Sequence, residues 1–203
     1  MPTAVVEIPP RPLAQDLPRK RWTRAECAVV ESSGVFGDQR FELIEGELIS
    51  KMGKKRPHVG VVKLLARWFE RVFGERSNTE APIDVASEDN ATNEPEPDLI
   101  VLKAGYPAYW SSTPQARDLD LVVEVADTTL AFDMTIKAAL YARAGIVEYW
   151  VLDIQGRRLI VHRDPARGQY ASIVGYSEQE CVTPLAAPGA PFRVAEMLPP
   201  KTS

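Results

Sequence analysis

The acidic residue Glu124 lies within the most apolar run of the chain, LDLVVEVA at residues 119–126. A carboxylate in a buried strand is costly unless it is paired or binds a cation. Strand alternation places Glu124 on the same face as Asp120, Val122 and Ala126. The run therefore predicts either a carboxylate that holds a cation or an acid at a strand end that pairs with a lysine.

A second acid, Asp98, begins the apolar run DLIVL at residues 98–102, directly after Glu96-Pro97. The proline keeps Glu96 extended and fixes where the strand begins. If this strand lies beside strand 119–126, Asp98 and Glu124 converge. Two carboxylates, together with waters and a phosphate oxygen, are a common way of holding Mg²⁺. Taken alone, Asp98 is equally typical of an aspartate that forms a turn.

Lys137 follows the Glu124 strand on the next predicted helix, four residues after Asp133 and four before Tyr141. Side chains at this spacing share one face of a helix. The ammonium can pair with Asp133, extend to solvent, or return to the carboxylates. The last alternative is favoured because the strand and the helix are consecutive.

Two earlier segments carry further candidates for supporting this site. His58 begins the apolar stripe of a long predicted helix, where a histidine either packs or faces a functional group. Glu42, Glu45 and Glu47 surround a predicted tight turn. Alternation places Glu45 and Glu47 on one face if the turn preserves the register. One of these glutamates can approach a metal, and their spacing does not say which.

The net charge and its distribution along the chain limit the kinds of molecule that the protein is expected to bind. The net charge of −4 excludes a protein that coats nucleic acid by bulk attraction. Residues 77–102 hold seven acids and no Lys or Arg, which indicates a solvated acidic loop or residues that hold a cation. A basic cluster is either solvated or contacts phosphates; its members are Lys51, Lys54, Lys55 and Arg56. The chain contains no P-loop and no GxGxxG motif.

The length of 203 residues predicts one domain, with 45% hydrophobic and 26% charged residues. We expect a flexible proline-rich tail at 1–20, a folded domain at 21–198 and a short tail at 199–203. Two distant cysteines indicate neither a disulfide scaffold nor a metal knuckle, so we expect reduced thiols and a cytoplasmic location. The sequence has no run of about 18 apolar residues, so it predicts no membrane span.

The elements that must position these residues can be located from their patterns. Thr23 to Glu26 form a capping box, which predicts a helix that ends near Gly34. FELIEGELI predicts a hairpin that turns at Glu45-Gly46. Further helices are predicted over 57–74 and 132–144. Strands are predicted near 79–86, 98–102, 119–126, 148–153, 158–162 and 169–174, with a last short strand or turn at 192–197. This order favours an α/β (mixed α+β) fold, a mixed sheet flanked by helices, with strand 119–126 covered on both faces.

Several segments together resemble the Uma-two family of putative restriction endonucleases, a branch of the PD-(D/E)XK nuclease superfamily. They are FELIEGEL, the PH that begins a helix, EPDLIVL, and the block DLVVEVADTTLAFDMTIKAALYARAGIVEYWVLD. The resemblance covers residues 22–198 and implies a restriction-endonuclease-like core. Pro97-Asp98 would be the PD element and Glu124 the (D/E) element.

The sequence departs from the superfamily pattern where the usual lysine would stand, because that position is Ala126. The resemblance implies that the lysine has moved to the following helix as Lys137, supported by Asp133 and Tyr141. Where the family commonly reads SPS after the acid, this chain has Asp127-Thr128-Thr129.

The implied function is a metal-dependent endonuclease that hydrolyses phosphodiester bonds in DNA. Asp98 and Glu124 would hold Mg²⁺ or Mn²⁺, and Lys137 would orient water or stabilise charge. Cutting both strands would favour a homodimer. The alternative is a catalytically silent binding or scaffold protein with the nuclease fold, which the acidic charge and displaced lysine permit. Hydrolysis of a small phosphoester is less favoured, because nothing resembles a nucleotide pocket.

Overall fold

The structure, a computed structural model, describes residues 19–51 and 55–201. Its ten strands in chain order are β1 (Phe41–Ile44), β2 (Glu47–Ser50), β3 (Ser77–Thr79), β4 (Leu99–Leu102), β5 (Leu119–Ala126), β6 (Glu148–Asp153), β7 (Arg158–Ala166), β8 (Gln169–Ser177), β9 (Cys181–Val182) and β10 (Phe192–Arg193). A six-stranded sheet has the order β3-β4-β5-β6-β7-β8, while β1-β2 and β9-β10 form separate pairs. Only β5 and β6 pair in parallel within the six-stranded sheet.

The helices lie before and after the central strands. They are α1 (Arg24–Ser32), α2 (Arg56–Phe73), α3 (Leu130–Phe132) and α4 (Ala138–Arg143), with a π-helical segment at Asp133–Lys137 and five 3₁₀ segments (Gly74–Arg76, Asn90–Thr92, Tyr106–Tyr109, Ala116–Asp118 and Val194–Met197). The three segments from α3 to α4 follow one another without a break, and we refer to them as the helical run 130–143. This arrangement confirms the predicted mixed sheet flanked by helices.

The ends of α1 and α2 agree with their sequence signals. At the start of α1, the backbone N–H of Glu26 donates to Thr23 Oγ1, and the Glu26 carboxylate accepts from the backbone N–H of Thr23. This reciprocal pair is the capping box that the sequence predicts. The apolar side of α2 packs against the sheet and includes Leu65 and Phe69, both at most 1% exposed.

Strand β5 is buried on both faces, as its composition predicts. Leu121, Val123 and Val125 belong to the core on the α2 side of the sheet. Val122 and Ala126 belong to the core on the other side, with Ala138 and Tyr141 of the helical run. Since the two sets alternate along β5, Glu124 lies on the face that the helical run covers.

The predicted strand near 79–86 is wrong beyond its first residue. The ladder ends with β3 at Thr79, and Asp84 forms only an isolated bridge with Gln115. Glu80, directly after Thr79, has a positive φ of 50°, which ends the extended conformation, and Pro82 lacks the N–H that a resumed ladder would need. Of the predicted N-terminal tail, residues 1–18 lie outside the described residues. Within the described part of the chain, no helix combines the length and apolar composition of a membrane crossing.

Candidate active site

Asp98 and Glu124 meet because β4 and β5 are antiparallel neighbours. The register pairs Leu99 with Val123 and Ile100 with Val122. Continued by one residue, it sets Asp98 opposite Glu124 on the same face of the sheet. The backbone N–H of Val125 donates to Asp98 Oδ2 at 2.9 Å, which fixes the aspartate against β5. The two acids that lie far apart in sequence are thus brought together.

The helical run brings Lys137 and Tyr141 to the same carboxylate. Lys137 Nζ donates to Glu124 Oε1 at 2.9 Å, and the Tyr141 hydroxyl donates to that oxygen, also at 2.9 Å. Asp133 is buried on the same side of the run and accepts a hydrogen bond from Thr129 Oγ1 at 2.6 Å. A π-helical segment holds Asp133 and Lys137, and such segments recur at functional sites.

Glu42 of strand β1 completes the cluster, and it is the glutamate that the sequence did not single out. Its Oε1 lies 3.0 Å from Lys137 Nζ, and its Oε2 accepts from the backbone N–H of Glu96 at 3.3 Å. The signal was available, because Glu42, like Glu124, interrupts an apolar run. The spacing alone does not show which face of the hairpin points into the protein.

The structure does not bring Glu45 and Glu47 to this cluster. Glu45 and Gly46 both have positive φ, 48° and 75°, which is the geometry of a two-residue hairpin turn. The Glu45 side chain is exposed and lies 3.4 Å from Arg143. Glu47 lies near Arg19 and Arg21. Both glutamates therefore form ion pairs outside the site.

The remaining predicted site residues differ in how close they lie to the acidic cluster and in how exposed they are. His58 Nε2 is 3.2 Å from Asp98 Oδ2. Lys51 is largely buried and donates to the carbonyl oxygen of Glu96 at 2.6 Å. Lys55 is exposed, with Nζ 3.9 Å from Asp127 Oδ2. Arg56 is exposed at the start of α2, and Lys54 lies outside the described residues.

A cavity of about 160 Å³ lies between the hairpin, the sheet and the helical run. Its polar lining is Glu42, Ser50, Lys51, Lys55, His58, Glu96, Asp98, Glu124, Asp127, Thr128, Thr129, Asp133 and Lys137, and its apolar lining is Ile49, Val125 and Phe132. Asp98, Glu124 and Lys137 thus share one cavity, which is large enough for several waters or a phosphate group.

Burial governs the electrostatics of the cluster. It raises the pKa of Glu124 well above the usual range for a glutamate, against the opposing effect of the Lys137 charge. It likewise raises the pKa of Asp133 to about 6. Burial opposes the charge on Lys137, but the carboxylates of Glu124, Glu42 and Asp133 together outweigh it and raise the pKa of the lysine. The raised values reflect an excess of acids in a desolvated space.

The cluster holds four acids, none more than 6% exposed, and one lysine; the acids are Glu42, Asp98, Glu124 and Asp133. Oxygen ligands with excess negative charge fit a hard divalent cation such as Mg²⁺. Within residues 19–51 and 55–201, no group of three or more His, Cys, Asp and Glu is arranged to hold a metal ion unaided. The residues therefore fit a cation that takes one or two carboxylates and completes its shell with water and substrate oxygens.

Comparisons with known proteins identify a family and a similar fold. The model of the family Uma2, described as putative restriction endonuclease, matches residues 32–195. A crystal structure of a putative nuclease belonging to DUF820 from Anabaena variabilis ATCC 29413 superposes with a TM-score of 0.59. The two chains are 15% identical, over 77% of this chain and 88% of the other, so this likeness concerns the fold. No curated protein matches the chain.

Proposed function

The chain belongs to the Uma2 family of putative restriction endonucleases, and from this premise we propose that it is a metal-dependent endonuclease that hydrolyses phosphodiester bonds in DNA. Family and fold both support a nuclease. The observation that carries the proposal is that Asp98, Glu124 and Lys137 line a single cavity although they come from three separate segments of the chain.

The carboxylates of Asp98 and Glu124 are the proposed ligands for Mg²⁺ or Mn²⁺, since Asp98 directly precedes β4 and the register of β4 with β5, continued by one residue, sets it opposite Glu124. Bound there, the cation would lower the pKa of a water and neutralise charge on the scissile phosphate. Two residues position these ligands. The Tyr141 hydroxyl holds Glu124 Oε1, and the backbone N–H of Val125 holds Asp98 Oδ2.

The cations of the site have separate proposed tasks. Lys137 is buried beside Glu124, where its ammonium can stabilise the negative charge that develops on phosphate oxygens during hydrolysis. The exposed Lys55 and Arg56 at the start of α2 can contact the phosphates of a DNA backbone. Lys51 is already bound to Glu96 and is better placed to fix the cavity wall. A homodimer remains a proposal, which sedimentation velocity can test.

The proposal predicts Mg²⁺- or Mn²⁺-dependent nicking of plasmid DNA by the wild type. Glu124→Gln, Asp98→Asn and Lys137→Met should each lower the cleavage rate by about 100-fold or more, as removal of a transition-state contact does. Glu47→Gln is the matched control, since Glu47 lies outside the cavity, and it should cleave like the wild type.

Three outcomes decide between the alternatives. Equal cleavage by all variants would identify a contaminating nuclease and reject the assigned residues. No cleavage by any protein, with saturable Mn²⁺ binding that Glu124→Gln removes, would favour a catalytically silent binding protein. No cleavage and no Mn²⁺ binding would reject the metal-dependent activity.

A further inference from the structure

Lys137 is in contact with the carboxylates that a divalent cation would also attract. Its Nζ lies 2.9 Å from Glu124 Oε1 and 3.0 Å from Glu42 Oε1. The lysine side chain is 5% exposed, and those of Glu124 and Glu42 are 6% and 7% exposed. Screening by water is weak at such burial, so a second cation attracted by Glu124 is also repelled by Lys137.

The other lysines of the cavity do not share this position, and His58 contacts Asp98 rather than Glu124 or Glu42. Lys51 is 3.2 Å from Glu96 Oε2, and Lys55 is 65% exposed and lies near Asp127. Among the described residues, Lys137 is therefore the one lysine or arginine that forms an ion pair with Glu124 or Glu42.

Two donors hold the same oxygen of Glu124 and differ in charge. The ammonium of Lys137 and the neutral hydroxyl of Tyr141 each lie 2.9 Å from Oε1. Both donors restrain the orientation of the carboxylate, but only Lys137 adds a positive charge. Substituting each in turn therefore separates the effect of orientation from the effect of charge.

We propose that Lys137 acts as a built-in counter-ion, which competes with a divalent cation for the carboxylates of Glu124 and Glu42 and so limits the affinity of the site. This inference rests on the proposed function, which assigns the cation to Glu124 and Asp98. Removal of a residue that supports cation binding weakens that binding. Removal of Lys137 should strengthen it, because the lysine competes with the cation.

Calorimetric titration with Mn²⁺ tests this role without measuring cleavage. Lys137→Met should bind Mn²⁺ about tenfold or more tightly than the wild type, since one repelling charge a few ångströms from the ligands is removed. Lys137→Arg keeps the charge and should retain wild-type affinity. Tyr141→Phe removes a hydrogen bond and no charge, so its affinity should be equal or lower. Equal or weaker binding by Lys137→Met would overturn the inference.

Thermal melting gives a second readout. Mn²⁺ should raise the melting temperature of Lys137→Met by more than it raises that of the wild type, because tighter binding stabilises the folded state more. An equal or smaller rise would contradict the inference.

The two proposals fail in distinguishable ways. If the wild type binds Mn²⁺, Glu124→Gln does not, and Lys137→Met binds no better than the wild type, the metal site stands and the counter-ion role is wrong. If neither the wild type nor Lys137→Met binds Mn²⁺ saturably, the metal site itself is wrong, and the counter-ion role is rejected with it.

Discussion

Two clusters of buried charge lie on opposite faces of the sheet, and they are built differently. On the α2 side, Glu148 is 0% exposed, and its Oε1 accepts from Arg163 and from Trp150 Nε1. Its Oε2 accepts from the backbone N–H of Leu185 at 2.8 Å. Here one acid meets one arginine, and both carboxylate oxygens are hydrogen-bonded. On the other side, four acids face a cavity, where Lys137 pairs with Glu124 and Glu42 and His58 lies beside Asp98.

The difference shows that burial of charge does not by itself mark a functional site. The Glu148 cluster is balanced, and it holds the C-terminal segment, because Arg163 also donates to the carbonyl oxygen of Thr183 at 2.8 Å. The charge of Glu148 and both of its carboxylate oxygens have partners within the protein. The cluster around Glu124 has more acids than basic groups, in a space that a ligand can enter, and this excess of acids supports the proposal of a cation there.

The largest expected effect comes from breaking the balanced cluster. Arg163→Met leaves Glu148 buried without its partner and should lower the free energy of unfolding by about 3–5 kcal/mol. Lys137→Met should cost less, because its acids line a cavity where they can take up protons or cations. Urea unfolding of both variants in EDTA measures the difference. Equal losses would show that the two clusters do not differ in this way.

A smaller effect, which changes with pH, is expected from Asp133→Asn. The folded pKa of Asp133 is about 6 against an ordinary value of 3.8, so the folded state retains a proton that the unfolded chain releases. The stability of the wild type should therefore fall as the pH rises from about 4 to about 6.

Asparagine does not titrate, so the variant should be more stable than the wild type above pH 6, by about 1–3 kcal/mol, and similar to it near pH 4. Urea unfolding across this pH range in EDTA measures the effect. A stability difference that does not vary with pH would contradict the assignment to Asp133.

The smallest effect is expected at the rim of the cavity. Lys55→Gln should weaken binding of a DNA duplex only two- to threefold or so and reduce the salt slope of the affinity by about 1, as for one phosphate contact. Fluorescence anisotropy at several salt concentrations measures both quantities. Lys63→Gln is the matched control, since Lys63 is exposed on α2, which begins directly after Lys55, and does not line the cavity. Equal effects of the two variants would remove Lys55 from the DNA interface.

Much of this arrangement can be predicted from local patterns. The spacing of apolar residues locates α2, and the two-sided apolar composition of β5 predicts a central strand with Glu124 inside the core. The order of strand and helix also predicts that Lys137 can reach Glu124. These predictions succeed because each depends on residues close together in sequence or on one strand pairing.

Other features depend on contacts that no local pattern contains. The inward face of the β1-β2 hairpin is set by the bridge between Leu43 and Glu94 and by the bond from the backbone N–H of Glu45 to Asn93. Glu42 could therefore not be separated from Glu45 and Glu47 by spacing. The π-helical segment has no signature in its composition, because helix propensity does not distinguish a π turn from an α turn.

The short chain distance between Glu124 and Lys137, 13 residues, has a consequence for how the protein acquires its structure. Closing a loop of that length costs less entropy than bringing in Glu42, which lies 82 residues before Glu124 in the sequence. We expect β5 and the helical run to associate early in folding, so that Lys137 reaches Glu124 before Glu42 does. The paired lysine would then offset the charge of Glu124 while the other walls of the cavity form.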